Sequence, residues 1–197
     1  MQYGGSYLVP MRRLDEAVVA MRRALELDPV SALLQRNLGF VYFVARQYER
    51  AIEQFRNALE LDPQFPMAHL FLGLIYIESA RLDEGIRALE TAADLEGRSP
   101  SVLGNLGAAY ARAGRISEAR KFLDLLQDLA QKAYVPPYSF ARIHLALGET
   151  DKGFDWLEKA VDEQDYKATL LLVGPLSDPL RSHPRYRALL RKMNLEP

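Results

Sequence analysis

A small residue returns every 34 positions along this chain of 197 residues: Ala17, Ala51, Gly85, Ala119 and Gly153, with no insertion between copies. Other residues keep the same interval. Leu38, Leu72, Leu106 and Phe140 form one series, Gly39, Gly73, Gly107 and Ala141 a second, and Tyr42, Tyr76, Tyr110 and His144 a third. A fixed period of this length means that each copy is one small unit that buries its apolar face only by stacking on its neighbours. One continuous solenoid core is therefore expected, not two separate globular domains.

Within a copy the apolar residues recur at spacings of three and four, which suits helices. In the second copy, residues 32–45 carry Leu33, Leu34, Leu38, Val41 and Tyr42, and residues 47–61 carry Ala51, Ile52, Phe55, Ala58 and Leu59. Asp62-Pro63 ends the second of these helices, because the residue before a proline is pushed out of the helical region. Asp28-Pro29 stops the preceding copy in the same way. Gly39 and Ala51 are expected where the two helices of a pair cross closely, since a larger side chain would hold the backbones apart. Gly85 and Gly153 fall early in second helices, where each costs about 1 kcal/mol against alanine. Tight contact with the first helix is the expected compensation.

The order L-G-x-x-Y, then Ala, then a large apolar residue, then Pro, resembles the tetratricopeptide repeat (TPR) family over about residues 11–165. The resemblance implies an all-α helix-turn-helix solenoid, wound as a right-handed superhelix, whose first helices line a concave ligand-binding face. The expected organisation is an incomplete first helix at residues 1–10, about four and a half repeats over residues 11–165, and a degenerate cap at residues 166–197. Gly4 and Gly5 weaken the first of these segments. Tyr186, Leu189, Leu190 and Met193 predict an amphipathic capping helix from about Pro184. The stretch Asp178-Pro-Leu-Arg-Ser-His-Pro-Arg-Tyr186 is similar to the ends of TPR regions in large bacterial regulatory proteins, which implies a module of a longer chain.

Little in the sequence points to chemistry. His69, His144 and His183 lack zinc-binding spacing, and without cysteine there is no thiolate ligand or thiol nucleophile. No glycine-rich phosphate loop follows a strand pattern. A non-enzyme with no metal and no cofactor is expected, with His144 packing in place of the repeat tyrosine. A net charge of −1 argues against general attraction to nucleic acid or to membrane surfaces. No apolar run suits a signal peptide or a membrane span, so the expected location is the cytoplasm. Arg181, Arg185, Arg187, Arg191 and Lys192 read as the solvated face of the capping helix.

The family register, carried over, puts Arg36 and Phe40 of the second copy on the inner face, with Leu70 and Leu74 of the third. Asn105 and Ala108 of the fourth and Tyr138 and Arg142 of the fifth follow. Large aliphatic residues there face a run of small ones, Gly104 and Ala108, and the contrast predicts a pocket for an apolar side chain. Asn105 would hydrogen-bond a peptide backbone, and Arg142 would take an acidic residue or terminal carboxylate. The two-carboxylate clamp of some family members is absent: around Asn105 its places hold Leu70, Leu74, Val135 and Ser139, and around Asn37 they hold Gln2, Ser6, Met67 and Phe71. The expected function is a non-catalytic protein–protein interaction module that binds a peptide or partner helix. The alternative is a scaffold that self-associates, as a homo-oligomer, through the incomplete first repeat.

Overall fold

The computed structural model describes residues 13–165, 167–168, 172 and 175–195, the side chains of 175 and 176 excepted. The segment expected as an incomplete first helix, residues 1–10, lies outside the described residues. Among the described residues there are ten α-helices, one 3-10 helix and no strand. In chain order the helices are α1 (Leu14–Leu27), α2 (Ala32–Val44), α3 (Tyr48–Leu61), α4 (Pro66–Glu78) and α5 (Leu82–Glu96). Then come α6 (Pro100–Arg112), α7 (Ile116–Ala130), α8 (Pro137–Ala146), α9 (Thr150–Asp162), the 3-10 helix (Pro175–Leu180) and α10 (Pro184–Lys192). Helices α2/α3, α4/α5, α6/α7 and α8/α9 pack as hairpin pairs, and α1 packs on α2.

Burial separates two layers. Helix α6 is buried without a break from Val102 to Ala111, and α4 from Phe71 to Ile77. Helix α7 buries only Ala119, Leu123 and Leu126, a single stripe. A helix apolar all round belongs inside, and one with a narrow apolar stripe belongs outside. The first helices thus make the inner layer and the second helices the outer one.

The small positions hold the pairs together. A Cβ at Gly73 would lie 2.6 Å from Leu89 Cγ and 3.0 Å from the Gly85 carbonyl oxygen. A Cβ at Gly85 would meet Ile77 at 2.7 Å, and one at Gly153 would meet Leu145 at 2.5 Å. The helix-propensity cost of these two glycines is offset by the close crossing it permits. Phe55 and Leu89, both fully buried, then fill the space beside Gly39 and Gly73.

The tyrosines of the repeat tie each first helix to the second helix before it. Arg22 donates to the Tyr42 hydroxyl at 3.0 Å, Arg56 to that of Tyr76 at 3.4 Å, and Tyr110 donates to Glu90 at 2.6 Å. Each partner stands 20 residues before its tyrosine. Arg81 and Arg115 cover the rings of Tyr76 and Tyr110 at 4.2 and 4.4 Å. Burial, then the Glu90 carboxylate, push the Tyr110 phenol up to about 12.

A further feature of the same period lies in the turns. Arg46, Ala80, Gly114 and Gly148 all have left-handed backbone, with φ of 60°, 59°, 74° and 76°. After each, an amide closes on a carbonyl five residues back: Gln47 on Tyr42, Arg81 on Tyr76, Arg115 on Tyr110 and Glu149 on His144. This Schellman closure ends α2, α4, α6 and α8 alike and sets the angle at which the following helix departs. Glycine adopts that conformation without penalty, whereas alanine and arginine do not.

Two stability tests follow from this packing. Ala80→Gly is expected to raise stability by about 0.5–1 kcal/mol, the strain relief being partly offset by a looser unfolded chain. Gly114→Ala is expected to lower it by a similar amount, and urea denaturation midpoints compare the two. Tyr76→Ala is expected to cost about 3–5 kcal/mol, against less than about 0.5 kcal/mol for the exposed Glu49→Lys. Equal midpoints for these last two variants would contradict the packing described.

Candidate functional site

The inner face is accessible at its N-terminal half. Leu33 is 50% exposed, and Arg36, Phe40 and Leu70 are half-buried. Phe40 packs on Phe71 with ring centroids 5.1 Å apart, which fixes its position on α2. The Arg36 guanidinium donates to Asn37 Oδ1 at 2.8 Å and lies 6.0 Å from the Phe65 ring centre. Burial lowers its pKa, and its Nε has no hydrogen-bond partner among the described residues. A desolvated cation of this kind is costly until a carboxylate reaches it. His69 is held locally, with Nε2 donating to the Pro63 carbonyl oxygen at 3.1 Å.

The C-terminal half is covered. Leu74, Asn105, Ala108 and Tyr138 are all buried. The Asn105 amide donates to the Ser101 carbonyl at 3.0 Å and accepts from the Tyr138 hydroxyl at 3.3 Å, so it is engaged within the fold. The run of small residues does not form an open pocket floor in this structure. A Cβ at Gly104 would lie 2.8 Å from Ser139 Cα, and one at Gly107 would lie 2.6 Å from Ile143 Cδ1. Helix α8 closes directly onto α6 through these glycines, in a contact far more extensive than that of α4 with α2 or α6. Arg142, on α8, is half-buried, with its Nε unpartnered among the described residues.

Residues after α9 complete the cover. The Lys167 ammonium donates to Ser101 Oγ, and both oxygens of Asp178 accept from Arg46. Leu172 and Leu180 are buried in one cluster with Tyr138, Phe154, Tyr186 and Leu189, and the Tyr186 hydroxyl donates to the Leu172 carbonyl at 2.6 Å. The repeat register gave no sign of Arg46, Lys167, Leu172 or Asp178. Loss of that register after residue 165 signalled that the chain does something different there.

The expected capping helix is α10, and much of its charge is matched within the chain. Arg185 donates to Glu158 at 2.8 Å and to Asp155 at 2.7 Å, Lys192 pairs with Asp162, and Arg181 donates to Asp178 at 2.9 Å. His144 packs at the repeat position and contacts Glu149 at 2.7 Å, with Arg120 and Lys152 beside the same carboxylate. The His144 hydrogen bond, opposed by desolvation and reinforced by Arg120 and Lys152, pulls the Glu149 carboxyl down to about 2. Among the described residues no cluster of three or more His, Asp or Glu could hold a metal ion, and no helix is long and apolar enough to cross a membrane.

An all-helical solenoid of stacked helix pairs, with half-buried apolar and cationic side chains on its inner layer, has the architecture of a protein–protein interaction scaffold. Family models agree: a TPR repeat matches residues 47–79, and tetratricopeptide repeat models match residues 76–136 and 4–31. Together these span more than half of the chain, which belongs to the tetratricopeptide repeat family. No curated protein matches the sequence. Among solved structures, pilF of Pseudomonas aeruginosa is similar with a TM-score of 0.60 and 20% identity, over 96% of this chain and 88% of that one. MamA is similar with a TM-score of 0.58 and 23% identity, over 83% of this chain and 96% of that one. At such identities the likeness is one of fold.

Glu149 makes the electrostatics of the α8/α9 turn measurable. Its folded pKa lies below its ordinary 4.5, so its stabilisation is complete above about pH 4.5 and is lost as the pH falls towards about 2. Wild type is expected to lose more stability than Glu149→Gln across that window in pH-dependent urea denaturation. Parallel curves would contradict the pairing.

Proposed function

We propose that this scaffold holds a peptide or helix of another protein along its inner face, with first contact at Arg36, Phe40 and Leu70. The observation that carries the reading is Arg36: a half-buried guanidinium, desolvated, beside half-buried apolar side chains. A partner with an acidic residue among apolar ones would supply both what Arg36 lacks and what Phe40 and Leu70 leave uncovered. Leu74, Asn105, Ala108 and Tyr138 stand on the first helices but are buried in the fold, so beyond Leu70 the proposed surface continues through the half-buried Arg142. Arg142 is the second cation there for a partner carboxylate. Binding without catalysis, in the cytoplasm, fits this reading.

Photo-crosslinking tests it. With Phe40 replaced by p-benzoyl-phenylalanine, irradiation in the native host is expected to give a discrete adduct that Arg36→Glu removes. The same photoreactive group at Arg56, on the outer layer, is expected to give none. Matching adducts from both positions, or adducts indifferent to Arg36→Glu, would contradict the inner face as the site.

Self-association remains a second reading because the N-terminal end exposes apolar surface. Leu27 is 84% exposed, against 42% and 38% for the equivalent Leu61 and Leu95, and Val19 and Val30 are 67% and 73% exposed. Sedimentation velocity over a concentration series is expected, on that reading, to show a mass increase that Val19→Glu with Val30→Glu abolishes. A monomer throughout would rule it out.

A further inference from the structure

The outer side of α1 breaks a pattern that the later copies keep. Val19 is exposed, and its counterparts at the 34-residue interval are the exposed, charged Glu53, Arg87, Lys121 and Asp155. Val30 is exposed too, and in the next three copies its place is taken by the exposed, polar Gln64, Arg98 and Lys132. Helices α3, α5 and α7 each pack against the first helices before and after them, yet these positions still face solvent. The first helix of a complete first repeat would therefore cover neither valine. Single exposed apolar residues are ordinary, but two at positions otherwise polar mark a surface that meets something other than water.

The same side of α1 carries two unmatched charges of opposite sign. Val19, Arg23 and Glu26 stand at i, i+4 and i+7, which places them along one side of the helix, with Leu27 next to them. Arg23 and Glu26 are exposed, and among the described residues neither side chain is in an ion pair or hydrogen bond. We propose that two copies of this chain pair through this side of α1, with the two helices antiparallel about a two-fold axis between Arg23 and Glu26. A second copy is the occupant because the patch, turned through half a rotation, supplies a carboxylate to Arg23, a guanidinium to Glu26 and a valine to each valine. Arg23 stands opposite the partner's Glu26, and Val19 opposite the partner's Val30. A parallel pair would instead set like charges against each other. The pairing rests on the self-association reading and gives it a surface and a symmetry. Exposed ion pairs contribute little, and the apolar area is small beside the roughly 800 Å² per partner of a standard complex, so the dimer dissociates on dilution. A two-fold contact closes on itself, so growth stops at two chains. By register α1 is a second helix, on the outer layer, and its pairing leaves both inner faces open.

Sedimentation velocity on the full chain at low ionic strength reads the register. Arg23→Glu sets a carboxylate against the partner's Glu26 at both ends of the contact and is expected to weaken dimerisation at least about tenfold. Adding Glu26→Arg reverses both pairs and is expected to return the dissociation constant to within about threefold of wild type. Circular dichroism is expected to stay unchanged throughout, since both side chains are exposed. The chain has no cysteine, so disulfide trapping reads the geometry separately. A Val19→Cys chain mixed with a tagged Val30→Cys chain is expected to form the mixed disulfide faster than either forms its own. Homodisulfides forming fastest would overturn the inference, as would equal dimerisation of Arg23→Glu and wild type, or growth beyond two chains. Each of these results would leave self-association itself standing. A wild type that stays monomeric would overturn both, so the two readings fail distinguishably.

Discussion

The architecture depends on how closely the two helices of each pair approach. At the α4/α5 crossing a Cβ on Gly73 would lie 3.0 Å from the Gly85 carbonyl oxygen, and a Cβ on Gly85 would lie 3.0 Å from that of Gly73. Backbones this near leave the bulk of the core to flanking side chains. Leu89 fills the space at one pair and Phe55 at another, both with no exposed surface. Because the pairs repeat small residues at the same positions and α2, α4, α6 and α8 end in the same closure, the first helices line up as one layer with a shared inner face. The proposed interaction on that face would thus rest on repeat packing, with specificity left to the few side chains that vary from copy to copy.

Those variations are physical as well as positional. In three copies the repeat tyrosine reaches a partner on the preceding second helix, but His144 turns instead to Glu149 in its own pair. The same fifth copy shifts α8 onto α6, where Gly104 admits Ser139. The end of the solenoid is therefore built differently from its middle, and there Lys167 and Asp178 reach back to Ser101 and Arg46. Arg36 is partly buried with no carboxylate partner among the described residues, which leaves the inner face a charge still to be matched.

The fold was legible because sterics wrote it into residue size at a fixed period. Ala17, Ala51, Ala119 and their glycine counterparts return at one position of the repeat, and each is buried there. The turns were less legible: left-handed backbone recurs at Arg46 and Ala80, residue types that do not announce it. On the inner face, Arg36, Phe40 and Leu70 follow the register, but Gly104 and Ala108 did not reveal their role. A small residue serves an open pocket and a close helix crossing equally well, and only the position of α8 decides. The contacts of Lys167 with Ser101 and Asp178 with Arg46 bridge non-periodic positions, so no pattern in the sequence could have paired them.

The most direct test of this account is the denaturation midpoint of Gly73→Ala. Helix propensity alone favours alanine over glycine by about 1 kcal/mol. The added methyl would meet the buried Leu89 at 2.6 Å and the Gly85 backbone at 3.0 Å, neither of which is free to give way. The account predicts a clear loss of stability despite the gain in propensity. A variant more stable than wild type would contradict the claim that the close crossing of paired helices determines this structure.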